Sequence, residues 1–318
     1  MPSRRILITG GSGFVGQWMC RRLIARGDAV FAGTFGRATG PTVLSDTERA
    51  RVTWLTLDSG SDADIAGALD QSMPDAVVHL AGIAFAPDAT AAPAKAFEVN
   101  ALGAFRLLHA LSTTSAKSVR ILIVGSAEQY GAHPASEHPL DESTTQSPVT
   151  VYAASKAAQE VIALQMARST GLGVVCTRSF NHSGFGQSAQ FLLPSLVARV
   201  KALAPRGGVL RLGNETPVRD YLHVADVAAA YDALLEYGQS GEAYNVSSGE
   251  GVTVRDAADR VLKQLGIVAE VSGDAALMRP VDVPVLVGDN AKLRAATGWA
   301  PRYTLDDIID DLIHAKTR

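Results

Sequence analysis

Seven residues near the start of the chain, Gly10-Gly11-Ser12-Gly13-Phe14-Val15-Gly16, constrain its fold more than any others. They follow Ile6-Leu7-Ile8-Thr9, a short apolar run that reads as a buried strand. They open the stretch from Phe14 to Arg26, which reads as a helix closed by Gly27. Gly10, Gly13 and Gly16 are spaced G-x-x-G-x-x-G. A glycine at the strand end permits a tight turn, and the next lets the main chain approach a pyrophosphate at the helix N-terminus. The third allows close helix–sheet packing. A glycine triplet alone is a weak signal. Between a strand and a helix it reads as a dinucleotide-binding turn.

The rest of the first half repeats the pattern. Apolar runs at 29–34, 52–57, 76–80 and 119–124 alternate with helical stretches near 62–71 and 94–112. Continuous apolar strands separated by helices indicate a parallel sheet covered on both faces. The expected fold is therefore α/β, a doubly wound parallel Rossmann sheet. A helix is predicted over 149–169, introduced by Pro148 and ended by Gly171 and Gly173, and a sixth strand over 173–178. From Asn181 onward Gly, Ser, Gln and Pro become frequent and the alternation fades. We expect an NAD(P)-binding domain over 1–180, with a returning segment near 215–248 that includes a strand at 243–246. A smaller α+β substrate domain is expected over 181–318, with helices near 254–265 and 305–314.

Composition narrows the function. With 29 Lys and Arg against 32 Asp and Glu, the formal charge is −3, so no concentrated basic face suited to nucleic acid is expected. The two cysteines, Cys20 and Cys176, sit in apolar contexts and read as buried thiols, and the seven histidines show no metal-ligand spacing. No apolar run approaches a membrane span, nor does the N-terminus resemble a signal peptide. A cytoplasmic enzyme is expected.

At the end of the second strand, Thr34-Phe35-Gly36-Arg37 offers no carboxylate for a ribose 2′-hydroxyl and one arginine suited to a 2′-phosphate. NADP(H) is favoured and NAD(H) remains possible. The competing reading of Arg37 is a solvated loop residue. Asp58, after the third strand, is a candidate for the adenine amino group or a plain turn residue.

Tyr152-Ala153-Ala154-Ser155-Lys156 places a tyrosine and a lysine at i and i+4 on one helix face. A free tyrosine titrates near pH 10, too high for neutral acid–base work, and a neighbouring ammonium is expected to lower it. Such a tyrosine can exchange a proton with a carbonyl or carbinol oxygen while hydride moves at a nicotinamide. Y-x-x-x-K is common by chance, and its plain reading is a helix-surface pair. Ser126, just past the 119–124 strand, stands where open α/β sheets build their sites, with Glu128 two residues on. Asn100 is either a polar support below the site or a buried structural amide.

In order and spacing, Gly10–Gly16, His79-Leu80-Ala81-Gly82, Asn100, Ser126, Tyr152 and Lys156 resemble the signature of extended short-chain dehydrogenase/reductases, from residue 6 to about 180. The resemblance implies Ser126, Tyr152 and Lys156 as catalytic residues. It also implies a cofactor site along Gly10, Gly13, Phe14, Val15, Gly16, Leu80, Ala81, Gly82, Asn100, Tyr152 and Lys156. Extended members commonly act on nucleotide sugars. Arg178-Ser179-Phe180-Asn181-His182-Ser183-Gly184-Phe185-Gly186-Gln187 is similar to the R-x-F-N-H-[ST]-G-x-G-Q segment of GDP-4-keto-6-deoxy-mannose reductases, with Phe185 where proline is expected. Arg219-Asp220-Tyr221 resembles a segment that clasps the nucleotide, and Arg279-Pro280-Val281-Asp282-Val283-Pro284 one near the diphosphate. Arginine suits phosphate because its planar fork stays charged. The resemblance extends in this way to near residue 303.

Ser126, Glu128, Asn181, Arg219 and Arg279 are thus implied to meet a nucleotide sugar, GDP-linked by resemblance, and the implied reaction is reduction of a 4-keto-6-deoxy sugar. Ser126 and Glu128 also match the places of Thr and Glu in the T-S-E segment of 4,6-dehydratases. A GDP-mannose 4,6-dehydratase is therefore the alternative, followed by a nucleotide-sugar 4-epimerase. A non-catalytic NADP-binding regulator is the alternative of a different class; such proteins usually lose the tyrosine or the lysine, and both are present. Family members often dimerise through the helices equivalent to 94–112 and 149–169, so a homodimer is expected.

Overall fold

A computed structural model of the chain describes residues 3–36, 43–113, 118–203, 207–278 and 282–314. Its strands are β1 (Arg5–Thr9), β2 (Ala29–Thr34), β3 (Val52–Thr56), β4 (Ala76–His79), β5 (Arg120–Val124), β6 (Gly173–Ser179), β7 (Asn181–Ser183), β8 (Val209–Leu212), β9 (Val218–His223), β10 (Ala243–Val246), β11 (Gly251–Thr253), β12 (Glu270–Gly273) and β13 (Val285–Leu286). The helices are α1 (Phe14–Arg26), α2 (Asp46–Arg49), α3 (Asp62–Ser72), α4 (Ala86–Ala91), α5 (Pro93–Phe97), α6 (Gly103–Thr113), α7 (Val151–Thr170), α8 (Leu192–Leu203), α9 (Val224–Tyr237), α10 (Val254–Leu265), α11 (Ala291–Thr297) and α12 (Leu305–His314).

Seven strands pair in the order β10-β6-β5-β4-β1-β2-β3, every pair parallel. The chain winds outward from β1 to β3, then returns to β4 on the other side of β1. The crevice between the carboxyl ends of β1 and β4 is therefore the switch point where such sheets bind ligands. Both faces are covered, which is why the strands read as unbroken apolar runs. Ile6 and Ile8 enter the layer built with Met19, Leu23 and Ile24 of α1 and Val227, Leu234 and Leu235 of α9. Leu7 points the other way, into a layer with Ile65 of α3, Leu107 and Leu111 of α6, and Ala163 of α7. A third core lies among α8, α10 and α12, with Leu196, Val261 and Ile308 fully buried.

Local chemistry sets the helix that matters most. Thr150 caps α7 by accepting a hydrogen bond from the Ala153 amide, and Gly171 closes it at φ 75°. The stretch predicted as one helix over 94–112 is instead α5 and α6 joined by a π-helical turn, Glu98–Leu102. The widened turn holds Asn100, whose side chain is wholly buried and bonded outside the helix. The elements α8, β8, β9 and α9 lie in the stretch whose composition masked the alternation. In α9 buried alanines and polar residues are mixed, so no apolar stripe marks the helix in the sequence.

Candidate active site

The glycine turn is shaped by main-chain contact. Gly10 adopts φ 69°, a left-handed conformation natural to glycine, and its carbonyl accepts from Gly13 N at 3.0 Å. A Cβ on Gly16 would lie 2.4 Å from Gly10 O and 2.7 Å from both Gly11 Cα and Gly11 O. The third glycine therefore packs against the turn itself, whereas the sequence suggested packing against the sheet. A Cβ on Gly13 would have only Gly10 O, at 3.1 Å, within 4 Å, and Gly13 is exposed. Gly13 stands at the N-cap of α1 with no side chain capping the first turn and no acidic residue in it. Uncapped N–H groups behind an exposed glycine suit an anion, so these residues fit a dinucleotide pyrophosphate. Phe14 is half-buried and stacks on His182 at 6.3 Å and 12°, while Val15 packs on the first core.

Beside the turn, the end of β4 is fixed by Thr9. Its Oγ1 accepts from Ala81 N at 3.1 Å and meets His79 Nδ1 at 2.9 Å. Burial holds the His79 imidazole neutral, at about 3, with the Lys156 charge adding to the effect. Leu80 and Ala81 are half-buried, while Gly82 is exposed. A Cβ on Gly82 would come within 2.8 Å of Asn100 Oδ1 and 3.6 Å of Lys156 Nζ. Asn100 Oδ1 accepts from Ile83 N at 2.8 Å, and its Nδ2 donates to Ser155 Oγ at 2.9 Å and to Ile83 O at 3.2 Å. It thus ties the β4 loop to the helix that carries Tyr152 and Lys156. Asp58 accepts from Gly60 N at 2.8 Å and so shapes its own turn. Arg37 and Arg279 lie outside the described residues.

Ser126, Tyr152 and Lys156 converge at the carboxyl end of β5. Ser126 caps the 3₁₀ turn Ala127–Tyr130, its Oγ accepting from Glu128 N at 3.2 Å. Ser126 and Glu128 both act on the Tyr152 hydroxyl, the serine favouring its ionised form and the carboxylate, through its charge, opposing it. Lys156 Nζ donates to Val124 O at 2.8 Å and Gln159 Oε1 at 2.9 Å, and burial pulls it down to about 8. The sequence led us to expect Tyr152 to be lowered by Lys156. Instead burial, reinforced by Glu128, pushes its hydroxyl well above the usual tyrosine range, against the opposing pull of Ser126. Desolvation wins because Tyr152 is 9% exposed and Lys156 makes its hydrogen bonds to Val124 and Gln159. A phenol of this kind keeps its proton at neutral pH and is a weaker acid than free tyrosine, so giving the proton away depends on stabilising the phenolate left behind.

Asn181 is exposed on β7, beside His182, whose ring stacks on Phe14. Arg219 Nη2 donates to Asp282 Oδ1 at 2.6 Å and Nη1 to Val218 O at 2.9 Å. The two segments singled out for phosphate are thereby clasped to each other. Asp220 is buried, accepts from Ser248 N, Ser248 Oγ and Gly249 N, and is pushed up to about 6 by burial. Sequence reading missed Thr9 and His182. A polar residue ending an apolar strand at the switch point is the signal for Thr9; His182 declares itself only through Phe14.

With this geometry in place, the comparisons give the lineage. A relative named GDP-6-deoxy-D-mannose reductase, from Pseudomonas aeruginosa, is 32% identical over 95% of this chain and 94% of its own length. A GDP-6-deoxy-D-talose 4-dehydrogenase from Aggregatibacter actinomycetemcomitans is 29% identical over 94% of this chain and 93% of its own. Among solved structures, RMD from Pseudomonas aeruginosa complexed with NADPH superposes at a TM-score of 0.82, 28% identical and covering 98% of both chains. The UDP-glucose 4-epimerase of Thermus thermophilus, in complex with NAD, does so at 0.81, 29% identical over 97% of this chain and 98% of that one. The family model described as GDP-mannose 4,6 dehydratase matches residues 7–312. A Rossmann sheet with its glycine turn at the switch point, relatives of similar length and this near-complete match lead to one conclusion: the chain belongs to the GDP-mannose 4,6-dehydratase family.

Proposed function

We propose that the protein reduces the 4-keto group of a nucleotide-linked 6-deoxy sugar, GDP-4-keto-6-deoxy-D-mannose to GDP-D-rhamnose, with NADPH preferred over NADH. The observation that carries the reading is the convergence of Ser126, Tyr152 and Lys156 at the carboxyl end of β5, the open end of the sheet. The 32% identical relative supports the substrate, and the neighbour complexed with NADPH supports the cofactor.

A nicotinamide cofactor, when bound, supplies hydride to the carbonyl carbon. The glycine turn and the first turn of α1 hold its pyrophosphate, Gly82 leaves room for it beside Lys156, and Arg37 meets the 2′-phosphate. Asp58 is left for the adenine end. Ser126 donates to the sugar's C4 oxygen and polarises it. Tyr152 gives that oxygen a proton, and the Lys156 ammonium offsets the phenolate left behind before water reprotonates it. Glu128 accepts from sugar hydroxyls. Asn181, Arg219 and Arg279 hold the nucleotide diphosphate. In this reading residues 1–180 and the strand β10 serve the cofactor and residues 181–318 mainly the sugar nucleotide.

The protein works as a cytoplasmic homodimer. Phe97, Leu102 and Phe105 along α5, the π-turn and α6 are 39–46% exposed, and Val161 on the adjoining α7 is 62% exposed. An apolar face of this kind supports a helix-to-helix contact between two copies. Two buried thiols, Cys20 and Cys176, support a reducing compartment.

The family's own description favours one second reading, 4,6-dehydration of GDP-mannose with Glu128 as the base. One assay separates the two. Given GDP-4-keto-6-deoxy-mannose, the reductase consumes NADPH and releases a 6-deoxyhexose nucleotide. A 4-keto product from GDP-mannose alone, without net cofactor use, would replace it by the dehydratase.

A further inference from the structure

The main chain of Ser126 is held from beneath by a buried polar relay that the chemistry above does not use. Ser126 N donates to Gln129 Oε1 at 2.8 Å. The same amide's Nε2 donates to Glu160 Oε2 at 2.9 Å and to Gln146 Oε1 at 3.3 Å. Glu160 Oε1 accepts from Gln146 Nε2 at 2.6 Å and Arg178 Nη2 at 2.7 Å, and Oε2 accepts from Arg178 Nε at 3.1 Å. Arg178 Nη1 is anchored in turn by the Tyr130 hydroxyl and the Glu142 carbonyl, each at 3.1 Å. Gln129, Glu160 and Arg178 are 0%, 3% and 7% exposed. Room for the relay is built into the main chain, since a Cβ on Gly125 would sit 2.5 Å from Gln129 Oε1.

Burying a carboxylate and a guanidinium is costly, and an apolar pair would often serve stability as well. The location suggests a reason for keeping them. Tyr152, Lys156 and Glu160 are spaced four residues apart on α7, so they share one helix face. The first two positions carry the reacting groups. The third grips the turn that carries Ser126 and Glu128. The relay therefore connects strand-end turn and helix at one place, directly beneath Ser126. The adapter must accept from Ser126 and donate to Glu160 at once. A primary amide of this length does both; a carboxylate offers only acceptors, and a thioether no donor.

We infer that Gln129, Glu160 and Arg178 form a positioning relay that sets the Ser126 hydroxyl against Tyr152, with the Gln129 amide as its polarity-specific adapter. The inference rests on the proposed roles of Ser126 and Tyr152. The groups facing Glu160 are Arg178 and the Cys176 thiol from β6, with the Tyr130 hydroxyl and Glu142 beyond Arg178.

Three variants test it: Gln129→Met, Gln129→Glu, and Gln129→Glu combined with Glu160→Gln. Two readouts are taken between pH 5.5 and 7.5: amide hydrogen exchange of the 124–131 segment in the free protein, and kcat and KM with NADPH and the 4-keto sugar. Gln129→Met should speed exchange and lower kcat by about 100-fold, the scale of a misplaced reacting group, with KM for NADPH within about 3-fold. Gln129→Glu should be as slow at pH 7.5. It should recover about 10-fold toward pH 5.5, as the two carboxylates come to share a proton and regain a donor. The double variant restores one donor and one acceptor across the contact and should return kcat to within about 10-fold of wild type. Wild-type kcat and exchange in the single variants would overturn the relay. So would a loss that is pH-independent, unrescued by the swap and matched by a lower Tm, since that describes a merely structural cluster. The exchange arm needs no substrate, so an inactive wild type would refute the assigned reaction while the relay was still decided.

Discussion

Two substitutions in the glycine turn should separate fold from function. Alanine at Gly16 puts a methyl group 2.4 Å from Gly10 O and 2.7 Å from Gly11. The obstructing atoms are main chain and cannot rotate away, so the cost lies at the upper end for overpacking, about 3 kcal/mol. Alanine in place of glycine inside a helix returns about 1 kcal/mol. The net loss of about 2 kcal/mol lowers Tm by about 3 °C for a chain of this size. Alanine at Gly13 meets one atom, Gly10 O, at 3.1 Å, in a backbone conformation, φ −71° and ψ 173°, open to any residue. Its stability cost is that of a poorer N-cap, about 1 kcal/mol or less. Its methyl group nevertheless stands over the uncapped first turn of α1. NADPH affinity should therefore fall at least about 10-fold, equivalent to about 1.4 kcal/mol. Calorimetry gives the Tm values, and NADPH fluorescence titration gives Kd. A Gly16→Ala protein as stable as wild type, or a Gly13→Ala protein that binds NADPH normally, would refute the reasoning.

Other consequences follow from the same geometry. Tyr152→Phe should remove turnover while leaving the NADPH Kd within about 3-fold; wild-type-like kcat would remove Tyr152 from the chemistry. Because burial pulls Lys156 down to about 8, its ammonium is present below that pH and lost above it. Activity should therefore decline above about pH 8, and this alkaline limb should shift upward in Lys156→Arg; an unmoved limb assigns it to another group. Asn100→Ala strands the Ile83 N–H and C=O, both bonded to the wholly buried amide, at about 3 kcal/mol. Urea unfolding measures that cost, and a change under about 0.5 kcal/mol on that same scale would mean water replaces the amide.

Much of this arrangement was legible in the residues. Strand, glycine turn and helix at 6–26 required a parallel sheet, because the turn works only where β1 meets a helix at the switch point. Tyr152 and Lys156 could be paired because helix periodicity is local. What escaped was set by tertiary contact. The spacing of a tyrosine and a lysine says nothing of desolvation, so the direction of the Tyr152 shift reversed. The π-helical turn at Asn100 serves contacts with Ile83 and Ser155, far away in sequence. The ion pair that holds the Arg219 guanidinium to Asp282, 63 residues on, could not be read from its motif. In α9, buried residues span most of the circumference, Asp226 and Asp232 included, which erased the periodicity that would have announced a helix.

The most direct test of the proposed reaction follows the transferred hydrogen. The protein is given GDP-4-keto-6-deoxy-D-mannose and NADPH carrying deuterium at the transferable position of the nicotinamide, and the product is read by NMR. The account predicts one deuterium at C4 of a GDP-linked 6-deoxyhexose for each NADPH oxidised. Absence of label at C4, together with conversion of unlabelled GDP-mannose to a 4-keto sugar without net NADPH oxidation, would contradict it.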